Sequence, residues 1–272
     1  MTVRGGIHAL TPERAVELFI LANLAFLGAD IAIAHLANEF AVAAEWAPLV
    51  FSAGAVPLLL VRVLGIASKA IARWLNLVVA CGAIVLGVAG MLYHLASGFF
   101  ATPNLHNLVY SAPFAAPLAY VGVGLLAILL HTEPLGSAAF GPWVLTLSLG
   151  GVLGNFVISV LDHAQNGFFN TTEWIPVAAA ALVAGFLLLA VLRPERAFLR
   201  LCLVVCAAEG LVGVLGFALH LHAPQPATAG VLDRLVYGPP LFAPLLFTNI
   251  AVLSSLGLWA CLRSTSQATA PT

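Results

Sequence analysis

Charge is what this sequence has least of. Only 8% of its 272 residues are Asp, Glu, Lys or Arg, while 62% are hydrophobic, and the mean hydropathy is +1.06. A soluble domain carries roughly 25% charged residues. This chain cannot cover a water-facing surface, and it offers no basic face for nucleic acid. Lipid must solvate most of it, which makes an integral membrane protein the expected class.

Methionine is nearly absent, with only Met1 and Met91. That excludes a methionine-rich pathway for soft Cu(I). Four cysteines (Cys81, Cys202, Cys206, Cys261) fall within or at the end of apolar segments, and none forms a CxxC pair. No disulfide framework is implied, and Cys202 and Cys206 at i, i+4 read as packing residues. The N-terminus lacks a short apolar core followed by a small-residue cleavage site, so no removable signal peptide is expected. Residues 264–272 are polar and read as a disordered tail.

Apolar runs are abundant. A spanning helix needs roughly 20 mainly apolar residues, and eight segments qualify: about 14–36, 46–66, 71–96, 108–131, 142–163, 174–193, 197–221 and 238–262. Eight spans put both termini on one face. Arg4, Arg14, Arg62, Lys69, Arg73, Arg193, Arg196, Arg200 and Arg263 fall on that face, and Arg234 alone falls on the other. Basic loops stay in the cytoplasm. The expectation is therefore an inner (plasma) membrane protein with cytoplasmic termini and outward loops at 36–45, 97–107, 164–173 and 222–237.

Self-similarity organises the chain. HLANEFAVAAEW (35–46) returns as HAQNGFFNTTEW (163–174), pairing His35 with His163, Asn38 with Asn166, Phe40 with Phe168, Glu45 with Glu173 and Trp46 with Trp174. GMLYHL (90–95) returns as GFALHL (216–221), pairing His94 with His220. NLVYSAPFAAPLAY (107–120) returns as RLVYGPPLFAPLLF (234–247), pairing Tyr110 with Tyr237. The fold class that follows is all-α, with eight transmembrane helices in two tandem four-helix repeats, 1–134 and 135–263. An even number of spans gives both copies the same orientation, so a pseudo-twofold axis would run along the membrane normal.

This topology brings His35, Glu45 and His94, then His163, Glu173 and His220, to the outer face. Two imidazoles and one carboxylate form a ligand set for Fe, Cu, Zn or Mn that leaves coordination positions open. Three arrangements stay open at this point. Each repeat could hold one metal ion, the two sets could meet as a dinuclear centre, or His35/His94 and His163/His220 could be bis-histidine haem pairs. A structural reading competes with all three. Histidines cap helix C-termini, and a carboxylate opening a helix gains roughly 0.3–1 kcal/mol from the dipole.

Around these sets, His106, His222, Asp162 and Asp233 share the outer side. Tyr110 and Tyr237, read as starting helices there, could donate hydrogen bonds to a bound species. Trp46 and Trp174 suit an interfacial aromatic belt, while Asn38 and Asn166 shape the loops. The proline pairs 113/117 and 240/244 are expected to kink helices 4 and 8. Asp30 and Glu209 are carboxylates within the membrane and so candidate functional groups: Asp30 to orient a histidine, Glu209 for proton relay or substrate.

The functional expectation is a membrane metalloprotein, with oxidation of a small or lipophilic substrate at the outer face as one activity. The alternatives are a haem protein, a transporter working between the repeats, and an accessory subunit of a membrane complex. Lipid is the partner composition demands, and a homo-oligomer or further subunits are compatible with it.

Overall fold

The computed structural model describes residues 10–223 and 230–268, and among them every regular element is helical. The helices are α1 (Pro12–Leu36), α2 (Ala47–Val63), α3 (Lys69–Ala96), α4 (Leu105–Tyr110), α5 (Leu118–Thr132), α6 (Phe140–Gln165), α7 (Trp174–Leu192), α8 (Arg196–Leu221), α9 (Val231–Tyr237) and α10 (Leu245–Ala268). Short 3-10 turns at Ala43–Trp46 and Thr171–Glu173 precede α2 and α7.

Local chemistry sets several boundaries. The Thr11 side chain accepts from the Arg14 N–H at 3.2 Å with Pro12 at the first helical position, so α1 starts capped. Ser68 caps α3 by accepting from Ile71 N–H. Asn104 caps α4 by accepting from Asn107 N–H at 2.7 Å.

Among the described residues, seven helices are long and apolar enough to cross a membrane. The chain is therefore an integral membrane protein by length and composition, and apolar side chains such as Val50 and Leu211, 69% and 70% exposed, face outward. The helix expected over 108–131 is shorter than a span, and the span expected over 238–262 is present but begins at Leu245. The prolines do not kink a continuous helix there; they end one and delay the next. Pro113 and Pro117 separate α4 from α5, and Pro239, Pro240 and Pro244 separate α9 from α10. Each ring removes an N–H and clashes with the preceding turn, and two or three within six residues leave no helical register. The consequence is that α5 has 15 residues, about 22 Å at 1.5 Å per residue, which is short for a full span. The last helix starts later than expected and runs to Ala268, through the first part of the segment read as a polar tail. Residues 269–272 of that tail, with His8 and Arg4, lie outside the described residues.

In the first half α1 packs on α2, α2 on α3, α3 on α5, and α5 back on α1. In the second half α6, α7, α8 and α10 follow the same cycle. The halves meet along α1–α10 and α5–α6, and each short helix crosses over, α4 lying against α6 and α9 against α1. Two apolar clusters fill the interior, one around Val16, Leu24 and Ala80, the other around Leu187, Leu199 and Leu258.

Close approach depends on small residues, as expected in lipid, where packing rather than hydrophobic exclusion joins helices. Gly87 and Gly90 of α3 seat Pro117, and Gly213 and Gly216 of α8 seat Pro244. Polar contacts add register. Asn23 of α1 and Asn249 of α10 exchange reciprocal side-chain hydrogen bonds at 3.1 and 2.5 Å across the join between halves. Asn76 of α3 donates to the Ala127 carbonyl of α5 at 2.7 Å. At the end carrying most of the basic residues, Glu17 pairs with Arg62 at 2.9 Å, and Arg14 reaches the Val63 carbonyl at 2.6 Å.

Candidate functional site: paired histidine and glutamate sets

The duplicated sequence motif forms the same local structure twice. After α1, the His35 carbonyl accepts from Asn38 and Phe40 N–H at 3.0 and 3.3 Å; after α6, the His163 carbonyl accepts from Asn166 and Phe168 N–H, both at 3.1 Å. Two consecutive left-handed residues make each turn: Glu39 and Phe40 at φ 55° and 51°, Gly167 and Phe168 at 68° and 50°. That backbone disfavours L side chains, and both copies keep a phenylalanine in it. The reason is visible in the rings. Phe40 stacks on Trp46 at 4.2 Å and stands near-perpendicular to His35, and Phe168 stacks on Trp174 at 4.1 Å beside His163. The tryptophans, half exposed, thus fasten the loop as well as suiting an interfacial belt.

The loop turn brings each Glu back to the histidine that precedes it. His35 Nδ1 lies 3.0 Å from the Glu45 backbone carbonyl. His163 Nδ1 instead lies 3.7 Å from Glu173 Oε2, beyond hydrogen-bond range. The third member of each set comes from the next long helix. His94 Nδ1 is 2.8 Å from the Pro113 carbonyl, and His220 Nδ1 is 2.9 Å from the Pro240 carbonyl. These carbonyls are exposed to side chains because the proline breaks end α4 and α9 there.

A carbonyl only accepts, so His35, His94 and His220 must each carry a proton on Nδ1. In the neutral ring Nε2 then keeps its lone pair. Backbone-anchored Nδ1 with a free Nε2 is the arrangement by which proteins orient a metal-ligating imidazole. Electrostatically, His94 lies within reach of His35 and Glu45, and His163 within reach of Glu173 and His220. Each glutamate buries its Oε2 without a hydrogen-bond partner. A buried unpaired carboxylate oxygen costs free energy, and here the cost recurs at equivalent positions.

The sets are nonetheless open. Among the described residues, no three His, Cys, Asp or Glu side chains stand close enough to form a ready-made metal cage. His35, His94 and His220 turn Nδ1 towards a backbone carbonyl, and His163 turns it towards the Glu173 carboxylate.

The surrounding candidates divide. Tyr110 and Tyr237 end α4 and α9 instead of starting spans, and both are largely exposed. His106 lies against Tyr110 at 4.5 Å on exposed α4. Asp233 accepts from Gly230 N–H at 3.1 Å, so it serves the first turn of α9. His222 caps α8. Asp162 adjoins His163 on α6, and Asp30 lines a cleft between α1 and the α9–α10 link. Glu209, 1% exposed in α8, leaves both carboxylate oxygens without a partner and belongs to the interior of the second half. The sequence reading missed the proline carbonyls as histidine anchors, although the aligned proline blocks carried the signal. It also missed Gln165, whose side chain donates to the Val109 carbonyl at 2.8 Å and ties the second loop to α4.

Comparison of the chain with protein-family models, with curated proteins and with solved structures gives no match.

Proposed function

We propose that this protein is a membrane metalloprotein with two His–Glu–His binding sets, one per half, opening on the outer (periplasmic) face of the inner membrane. In this reading the broken fourth and eighth segments complete eight crossings, the halves are parallel repeats about an axis along the membrane normal, and the termini are cytoplasmic. The basic-residue asymmetry supports the orientation. The duplicated motif and the matching cycle of helix contacts support the repeat.

One observation carries the metal reading: Glu45 and Glu173 each bury a carboxylate oxygen that makes no hydrogen bond, beside histidines most of which are fixed with Nε2 free. A divalent first-row ion, Fe, Cu or Zn, would satisfy that oxygen and would draw on the histidine Nε2 atoms as further ligands. Two nitrogens and one oxygen leave positions for water or substrate, so oxidation or hydrolysis of a small or lipophilic molecule is the chemistry such a site supports. Elemental analysis of detergent-purified protein tests this. We expect close to two transition-metal ions per chain, falling by half in His94→Ala or His220→Ala. Absence of stoichiometric metal, together with an absorption spectrum lacking a Soret band, sinks the proposal.

A second reading rests on the same Nδ1 anchors. An axial haem histidine also needs Nε2 free and Nδ1 held; His35, His94 and His220 meet this, so His35/His94, and His220 with His163, could each clasp a haem. A Soret band that disappears with either histidine of a pair would select it.

A further inference from the structure

A cleft of about 100 Å³ opens between α1 and the α9–α10 link, sharing Pro240 with the second histidine set. Its walls are Ile33, Val236, Pro240, Leu241 and Phe242, and its one acidic group is Asp30. Asp30 lies six residues before the end of α1, about 9 Å along the helix. Among the described residues it has neither a hydrogen bond nor an ion pair, and no basic group offsets its charge. A half-buried carboxylate in an apolar wall is costly unless a cation meets it. Phe242, held edge-to-face against Phe26 at 5.9 Å, adds an aromatic ring.

We infer that this cleft binds an alkylammonium group, with Asp30 as the counter-charge and Phe242 as the aromatic wall. A metal ion is the wrong cation here, because one carboxylate among apolar side chains supplies too few oxygens. An ammonium with attached methylenes uses what is present: a single charge contact, apolar packing, and attraction to an aromatic ring. The volume suits a group of a few heavy atoms, since a cavity of about 150 Å³ accepts benzene. Both a lipid headgroup and a free small amine can carry such a group. The equivalent of Asp30 in the second half is Ile158, so the site is single.

The test uses full-length protein in nanodiscs of phosphatidylglycerol, titrated with butylammonium and with 1-butanol by calorimetry. Butylammonium should bind saturably and butanol should not. Asp30→Asn should weaken butylammonium at least tenfold, and Asp162→Asn should leave it unchanged. Ala34→Leu, which fills the cleft and keeps Asp30, should also abolish binding, so a misfolded Asp30→Asn does not decide the matter. Repeating the titration with phosphatidylethanolamine in the nanodisc separates the sources: competition identifies a lipid headgroup, an unchanged affinity a free amine. No binding in phosphatidylglycerol, binding that survives both cleft variants, or equal loss in Asp162→Asn overturns the inference.

Discussion

Replacing Gly213 with alanine should separate α8 from α10 and destabilise the second half. A Cβ at Gly213 would clash with Thr248 Oγ1 and stand 2.7 Å from both the Pro244 carbonyl oxygen and the Thr248 nitrogen. Ordinary contact begins near 3.4 Å, so backbone would have to retreat by about 0.7 Å. Two of the three atoms are main chain and cannot rotate away. Overpacking of this kind costs about 1–3 kcal/mol. Gly87 is the counterpart in the first half, with Pro117 O and Val121 N at 2.8 and 2.9 Å, and Gly87→Ala should cost a similar amount. Gly185 of α7 is the control: nothing lies within 4 Å of its added Cβ, and alanine there gains up to about 1 kcal/mol of helix propensity. The gap between Gly185→Ala and Gly213→Ala should therefore be about 1–4 kcal/mol. Unfolding in mixed micelles by increasing sodium dodecyl sulfate, followed by far-UV circular dichroism, measures it. Equal midpoints for Gly213→Ala and Gly185→Ala would refute the claim that glycine is there for helix approach.

Other expectations can be checked with the same preparations. Glu45→Gln and Glu173→Gln should each remove about half of the bound metal and the double variant nearly all of it; in metal-free protein Glu45→Gln should melt no lower than wild type, because a buried carboxylate oxygen without a hydrogen bond is gone. Asn23→Leu should cost about 1–2 kcal/mol by stranding Asn249, and adding Asn249→Leu should recover part of the loss in a double-mutant cycle. Glu39→Gly should raise the melting temperature by the equivalent of about 1 kcal/mol, since φ is 55° there. Gly167→Glu should lower it comparably, and opposite signs at either position would contradict the turn geometry.

The order of elements was largely legible because bilayer thickness translates directly into run length. Seven long helices fall where apolar runs of sufficient length lie, and the proline and polar caps mark several starts. The proline-rich stretches were misjudged for a physical reason. One proline inside a helix, as Pro57 in α2 shows, is absorbed; the clusters at 113/117 and 239/240/244 are not. Hydropathy cannot tell these cases apart, because the number of lost N–H groups per turn decides the outcome. Of the candidate residues, the His and Glu sets were legible as pairs in the repeat. What each ring nitrogen touches was not.

By itself, the sequence determined the solvent, the helical class, the duplication of the His–x–x–Asn–x–Phe…Glu–Trp motif and the crowding of histidines towards one end. These depend on composition and spacing, which local physics reads in one dimension. Only the tertiary structure decided that Phe40 and Phe168 fasten their loops by stacking on Trp46 and Trp174. It alone showed that the proline breaks offer carbonyls to His94 and His220, that α4 and α9 cross to the opposite half, and that Asp30 faces a cleft. The ring stacks join residues six positions apart, whereas the other contacts join residues from 19 to more than 200 positions apart, and those longer pairings depend on how whole helices pack rather than on any local preference of the chain.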